Sequence, residues 1–291
     1  MPELPEVETV RLGLARYLLG QKVLGVDFDN PKSFPNSEAL VRRQLIGARI
    51  ESVDRRAKVL LVRLSTGYTL LIHLKMTGQL IYRPKTGRGF GGGHPTDSLI
   101  GDLPDRSTRV AFTLAHGKLY FNDQRKFGWV KLLPNEQIEK LDFFQRVGPE
   151  PLEAGFTLAE FRRRLSRRKR TSIKAAILDQ SIVAGVGNIY ADESLHAARI
   201  HPETKVADVS IAKLRRLHQA IIDSLRISLE HGGSSDRNYV DADGKKGGYL
   251  KFARVFRREG QPCIDCGTAI IKTRVAGRGT HICPRCQKLP K

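Results

Sequence analysis

Apolar residues recur at Val7, Val10, Leu14, Tyr17 and Leu18, the spacing of one helix face, behind a proline at position 5 that suits a helix start. Glu6 and Glu8 complement the positive end of that helix and Gly20 marks its stop, so Pro2 is left at the tip. From about residue 22 the pattern changes to short runs rich in β-branched and aromatic residues: KVLGVDF, ARIESV, KVLLVRL, TLLIHL, TRVAFTL, KLYFND and GWVKLL. Polar turn signals separate most of them, which predicts an antiparallel β-sandwich reaching to about residue 133. The stretch TGRGFGGGHPTDSLIGDLP between Pro84 and Asp105 reads as a mobile surface loop, and without a GK[ST] ending it is no phosphate-binding loop.

After Pro149 and Pro151 the periodicity is helical: TLAEFRRRLSRR, TSIKAAILDQ, NIYADESLHAARI and a long helix from about Asp208 to His231. A boundary is expected near residues 134 to 152, and the tail from Gly260 is a short cysteine-bearing module. The chain is thus expected to be α+β and multidomain, divided as 1–140, 150–250 and 251–291.

Charge narrows the function. Lysine and arginine number 50 against 30 acids, a formal charge of +20 and a pI near 10.1, which calls for a polyanionic partner. No amphipathic lipid-binding helix and no polybasic tail stands out, so nucleic acid ranks ahead of a membrane surface. No stretch approaches the roughly eighteen apolar residues of a membrane span. The acidic opening MPELPEVETV lacks a basic and apolar leader, so the expected location is the cytoplasm.

All four cysteines lie in the tail. Cys263 and Cys266, then Cys283 and Cys286, form two C-x2-C pairs sixteen residues apart, the spacing of a closed, structural four-thiolate zinc site. One Zn²⁺ there would leave excess negative charge, which Lys272, Arg274, Arg278, Arg285 and Lys288 surround in sequence. Gly185, Val186, Gly187 and Asn188 form a tight turn opening a helix with Asn188 as the expected cap, whose backbone N–H groups could hold a phosphate. The run RRRLSRRKR, Arg162 to Arg170, reads as a solvated face of which part, with Lys169, contacts phosphate; Lys174 is a weaker candidate.

The amino terminus is the least ordinary feature. Proline at position 2 is small enough for Met1 to be removed, which would expose a secondary amine. With an α-amino pKa near 8 against about 10.4 for lysine, the neutral fraction at pH 7 is roughly 200-fold larger for the terminus, and the helix end behind it pushes the same way. Such an amine attacking an aldehyde-like sugar carbon gives a cationic iminium, which acidifies the adjacent proton and permits elimination. Glu3 stands beside it to move protons.

Together these residues resemble the formamidopyrimidine-DNA glycosylase family, through PELPEVET, RRAK, HLKMTG, NDQRKFG, GVGNIYADESL and the cysteine module, all in the family's order. The resemblance implies an N-terminal antiparallel β-sandwich with flanking helices, a C-terminal helix-two-turn-helix domain and a zinc-finger β-hairpin, with DNA held between the domains. It implies a bacterial base-excision-repair enzyme, monomeric, cytoplasmic and nucleoid-associated. Its substrate would be double-stranded DNA carrying oxidised purines (8-oxoguanine, formamidopyrimidines) or abasic sites, cleaved by β,δ-elimination.

By position the resemblance makes Pro2 the Schiff-base nucleophile, Glu3 the proton donor to the sugar and Lys58 the lysine near the scission site. Met76, Arg125 and Phe127 would fill the gap left by the flipped nucleotide, Arg125 addressing the orphaned base; the bland reading of Met76 and Phe127 is core packing. His73, Lys169, Asn188 and Arg278 would grip the backbone, Arg278 also donating a proton in the second elimination, and His73 could equally be a satisfied core histidine.

Three departures accompany the match. The family's KHxH stretch appears as Arg106, Ser107, Thr108 and Arg109; the Pro84 to Asp105 loop is long; and VYGREG appears as VFRREG, with Phe256 and Arg257. The segment from about 232 to 249 corresponds to the loop that caps the damaged base. Two rivals stand beside this reading. One is an endonuclease VIII-like enzyme for oxidised pyrimidines, against which Leu4 and the RKFG motif argue. The other is a non-enzymatic zinc DNA-binding protein.

Overall fold

The computed structural model describes residues 2–28, 31–94, 96–234 and 248–290. The chain forms two compact units, Met1–Gln145 with His231–Gly248, and Arg146–Glu230 with Tyr249–Lys291.

The first unit opens with α1 (Leu4–Leu18), capped at Glu3 and closed by Gly20 in the left-handed region at φ +77°. Next come β1 (Val23–Phe28) and α2 (Glu38–Leu45), whose Ser37 cap accepts the Leu40 N–H. The strands β2 (Ile50–Arg56), β3 (Val59–Leu64), β4 (Tyr68–His73), β5 (Gly78–Pro84), β6 (Phe90–Gly93), β7 (Thr108–Leu114), β8 (Gly117–Asp123) and β9 (Trp129–Pro134) follow. Two short helices, α3 (Asn135–Ile138) and α4 (Asp142–Arg146), come after them.

The strands build two antiparallel sheets, ordered β1-β7-β8-β5-β6 and β2-β3-β4-β9. Their inner faces meet in one core, where Leu60, Val62, Ile72 and Val130 of one sheet join Leu80, Val110, Phe112 and Phe121 of the other. Val7, Val10, Leu14 and Leu18 of α1 are buried in the same core, as the helical spacing predicts. Tyr17, expected on that face, is only half-buried and lies against the Tyr82 ring at 5.5 Å.

The structure corrects the reading of residues 84–105. Far from a bare loop, this segment contributes β6, in register with β5 from Gln79↔Gly93 to Tyr82↔Phe90, and buries Phe90, Ser98 and Leu99. The glycines that suggest a loop are there because backbone packs directly on backbone. A Cβ at Gly89 would lie 2.2 Å from the Tyr82 carbonyl oxygen, and one at Gly93 would lie 2.3 Å from that of Gly78. Phe90 in turn fills the space over Gly13 of α1, whose missing Cβ would sit 2.1 Å from the ring. The added strand therefore braces the helix that carries the amino terminus.

In the second unit the helices are α5 (Leu158–Leu165), α6 (Ile173–Leu178), α7 (Asn188–Ala197) and α8 (Ile211–Glu230). Thr157 and Ser172 cap α5 and α6 by accepting the Glu160 and Ala175 N–H groups. Helix α7 is buried from Tyr190 through His196, and Leu214, Leu217, Ile221 and Leu225 form the inner face of α8. Strands β10 (Ile271–Val275) and β11 (Arg278–Ile282) close the unit as a hairpin. Its two-residue turn, Ala276-Gly277, has both φ values positive, at 49° and 74°, the geometry that matches strand twist.

Gly13→Ala should lower the thermal midpoint, because overpacking a filled core costs about 1–3 kcal/mol. Combining it with Phe90→Leu should recover part of the loss. An unchanged midpoint in calorimetry of the single variant would show that Phe90 does not bear on α1.

Candidate catalytic and nucleic-acid-binding site

In the first unit Pro2 and Glu3 stand buried at the start of α1. Glu3 and Glu6 form a reciprocal capping box, in which the Glu3 N–H donates to Glu6 Oε2 at 2.8 Å. The other oxygen of this buried carboxylate, Oε1, accepts the Ser234 N–H and hydroxyl, each at 2.7 Å. One acid thus ties the helix start to the first residues of the segment near 232 to 249. The body of that segment, 235–247, lies outside the described residues.

A turn further along, Glu8 accepts from Arg11 at 2.8 Å and from Arg55 at 2.9 Å. Burial pushes its carboxyl upward, but the two guanidiniums outweigh this and hold it below 4.5. Arg55 also donates to the Ala57 carbonyl at 2.9 Å, so the Ala57-Lys58 turn is held to α1, and Lys58 is buried there.

His73, at the end of β4, faces Trp129 at 5.7 Å and accepts the Lys75 N–H on Nδ1 at 3.0 Å. Burial lowers its pKa to about 3, helped by Lys75 and Lys58. It is a neutral imidazole with Nε2 left to donate, neither a cation nor a core residue. Met76 is half-buried just beyond.

The β8–β9 turn carries Arg125 and Phe127. Its organiser is Asp123, fully buried, whose Oδ1 accepts the Thr77 hydroxyl and, at 3.2 Å, the Arg125 N–H. Oδ2 accepts the Gly128 N–H at 2.6 Å. Lys126 takes a left-handed φ of 57°, and Phe127 stays 54% exposed, which rules out core packing. The Arg125 guanidinium lies 4.9 Å over the Phe127 ring. In place of the family's histidines, Arg109 donates to the Asp123 carbonyl at 2.9 Å and to that of Arg106 at 3.0 Å.

In the second unit Lys169 is exposed, and within its basic run Arg163 and Arg164 pair with Glu160 while Arg168 pairs with Asp179. Helix α7 is capped by Gly187, one residue before the Asn188 expected for that role, because Asn188 already has helical geometry. The Asn188 side chain donates instead to the Gly279 carbonyl at 2.9 Å. Arg278 is exposed at the start of β11.

Lys174, a weaker phosphate candidate, is buried completely and cannot meet one. Its ammonium reaches Asp192 at 2.6 Å, the Thr280 hydroxyl at 2.7 Å and the Gly279 carbonyl at 3.2 Å. The other Asp192 oxygen accepts the His281 N–H at 2.9 Å. The ion pair joins α6, α7 and the hairpin that bears Arg278. Beside it Glu193 accepts three successive backbone N–H groups, from Arg254, Val255 and Phe256, at 2.7, 3.0 and 2.8 Å; burial raises its pKa. Asp123, Asp192 and Glu193 were not singled out from sequence, and Glu6 was read only as complementing the positive helix end. Only Glu6, three residues after Glu3, follows a pattern that could have disclosed it.

The sulfurs of Cys263, Cys266, Cys283 and Cys286 all lie within 4.8 Å of one another. Burial and neighbouring sulfurs push the Cys283 and Cys286 thiols up, while hydrogen bonds from Thr268 bring Cys266 down to about 6. Four thiols this close resist joint ionisation unless a soft cation compensates them, and tetrahedral Zn²⁺ fits the set. Among the described residues no helix is long and apolar enough to cross a membrane.

A sandwich carrying an exposed aromatic turn, a basic helical unit and a four-sulfur hairpin define a zinc-finger protein suited to DNA. Residues 1–130, 147–239 and 260–289 match the models of the formamidopyrimidine-DNA glycosylase N-terminal domain, its H2TH domain and the zinc finger found in FPG and IleRS. The formamidopyrimidine-DNA glycosylase of Pelotomaculum thermopropionicum is 42% identical over 291 residues, covering 99% of this chain and all of its own. That of Herpetosiphon aurantiacus is 43% identical over 298 residues, with coverage of 99% and 100%. A Lactococcus lactis FPG mutant bound to Fapy-dG DNA superposes with a TM-score of 0.87 at 33% identity, covering 99% of this chain and 100% of that one. The Lactococcus lactis Fpg complex with abasic-site DNA gives 0.87 and 33%, with coverage of 98% and 99%. The chain therefore belongs to the formamidopyrimidine-DNA glycosylase family of DNA-repair enzymes, glycosylases with abasic-site lyase activity. Membership sets the non-enzymatic reading aside.

Lys174→Ala should strand a buried Asp192 carboxylate, a change that costs about 3–5 kcal/mol. Amide exchange at residues 278–282 should accelerate well before the sandwich is affected. Native protection of those amides in the variant would contradict this role.

Proposed function

We propose that the chain excises oxidised purines, 8-oxoguanine and formamidopyrimidines, from double-stranded DNA. It then cleaves the abasic site by β,δ-elimination through a Schiff base on Pro2. Residues 1–140 carry the chemistry, 150–250 the helix-two-turn-helix grip and 251–291 one structural zinc. The chain acts as a monomer in the cytoplasm. The observation that carries the reading is the start of α1. There Pro2 precedes a buried Glu3, on a helix fixed to the Lys58 turn through Glu8 and Arg55.

Once Met1 is removed, the Pro2 amine attacks the sugar carbon that bears the damaged base, and the base leaves. Glu3 delivers a proton to the sugar oxygen as the ring opens, and the resulting iminium acidifies the neighbouring sugar proton so that the first phosphate is eliminated. Lys58 lies near the scission site. Arg278 donates a proton in the second elimination, and His73, Lys169 and Asn188 hold the backbone.

Met76, Arg125 and Phe127 occupy the gap behind the flipped nucleotide. The rigid, exposed Arg125–Phe127 turn supports that assignment, since an apolar wedge must be held against the few kcal/mol that unstacking costs. The Lactococcus lactis structures with Fapy-dG and abasic-site DNA support the choice of lesion.

Borohydride should trap a covalent enzyme–DNA adduct that maps to Pro2. Glu3→Gln should keep binding yet lose base release from an intact lesion, with cleavage of a preformed abasic site retained. A trapped sugar on Lys58 would overturn the mechanism. Separately, Arg125→Ala should lose the preference for cytosine opposite the lesion, worth about 1–3 kcal/mol, whereas Lys169→Ala should weaken all duplexes alike. An intact cytosine preference in Arg125→Ala would remove that residue from base reading.

A further inference from the structure

Helix α7 sends one more side chain toward the sulfur cluster. His196 is fully buried, and its Nε2 lies 3.4 Å from Cys263 Sγ. Its Nδ1, equally buried, has no hydrogen-bond partner among the described residues. A bare N–H there would cost more than a bare lone pair, so the proton belongs on Nε2, directed at the sulfur. A ring nitrogen of His196 also lies within 4.8 Å of Cys286 Sγ and of an Asp265 carboxylate oxygen. A nitrogen and a sulfur bound to one zinc ion are roughly 3.5 Å apart, so the imidazole stands at the edge of the coordination tetrahedron. Asp265 is exposed and lies 3.6 Å from Arg254, which leaves His196 as the buried spare donor.

We propose that His196 is a reserve zinc ligand. While four thiolates hold the metal, it donates a hydrogen bond to Cys263; when Cys286 is lost from the site, the ring proton shifts to Nδ1 and Nε2 of the neutral imidazole takes that position, giving a Cys3His centre. The exchange replaces an anionic ligand by a neutral one, so the net charge of the centre falls from two negative to one. The site is built for this on one side only. His196 reaches Cys263 and Cys286, and the set of donors it forms with Asp265 and Cys286 does not include Cys266.

The inference rests on the four-thiolate zinc site proposed above, and metal analysis of the full-length chain separates the two. Native protein without zinc overturns both. With zinc in the native protein, Cys286→Ala should retain about one ion per chain, and its Co²⁺ form should show three-thiolate charge-transfer absorption with ligand-field bands shifted toward a nitrogen-containing set. Cys286→Ala combined with His196→Leu should lose the metal, as should Cys266→Ala with His196 intact. His196→Leu alone should keep its zinc, which shows that leucine is accommodated at that position. A zinc-free Cys286→Ala chain, whether folded or not, overturns the proposal. So does a Cys286→Ala chain that holds zinc equally well without His196, or loss of zinc from His196→Leu alone.

Discussion

Asp123 is buried to the last atom, and its carboxylate accepts the Thr77 hydroxyl and the Arg125 and Gly128 N–H groups that close the β8–β9 turn. A carboxylate so placed is tolerable only because every donor around it is oriented before anything binds. The turn can therefore hold a left-handed Lys126 and an exposed Phe127 without fraying. Glu6 does the same work at the start of α1, one oxygen for the Glu3 N–H and one for Ser234. Arg125 and Phe127 stand outside, and the acid that holds their turn stands inside.

The second unit repeats the device with other parts. Glu193 gathers three consecutive N–H groups of the 254–256 segment, and Asp192, the next residue back along α7, holds Lys174 and the His281 N–H. One turn on, His196 meets Cys263. A single buried helix thus fixes the chain leading into the zinc module, the hairpin and a cysteine from one face. That explains why α7 has almost no polar side left for solvent between Tyr190 and His196. It also explains why VFRREG tolerates Phe256, which is held by its backbone N–H, a group that any side chain leaves unchanged, whereas Arg257 takes a left-handed φ of 58°.

Much of this was legible in the sequence, and the failures share a cause. The α1 face, seven of the strands, the long α8 and the cysteine spacing follow from periodicity and ligand counting, which are local properties. Strand β6 was not legible, because Gly89 and Gly93 owe their place to the backbone of β5, and Phe90 owes its place to Gly13. Lys174 read as a phosphate contact because a lysine in a basic chain is ordinarily outside. Its burial depends on an aspartate eighteen residues on and a hairpin more than a hundred residues away. Asp123, Asp192 and Glu193 escaped for the same reason. An acid that organises backbone carries no motif of its own, since its partners are N–H groups that every residue has.

The burial of these acids bears on how the chain meets a polyanion. The formal charge of +20 counts every acid equally, yet Glu6, Asp123, Asp192 and Glu193 are withdrawn from the surface and compensated by fixed donors. The half-buried Glu160 is held by Arg163 and Arg164, leaving Lys169 and the end of its run facing water. The hairpin likewise presents Lys272, Arg274 and Arg278 while its buried Thr280 and His281 meet Lys174 and Asp192. These four acids serve the architecture, while Lys169, Arg274 and Arg278 stand exposed. Counterion release at such basic surfaces favours binding to DNA of any sequence. Discrimination of damage must then come from elsewhere, and under the proposed function it falls to the turn of Arg125 and Phe127 and to Pro2 at the tip of α1.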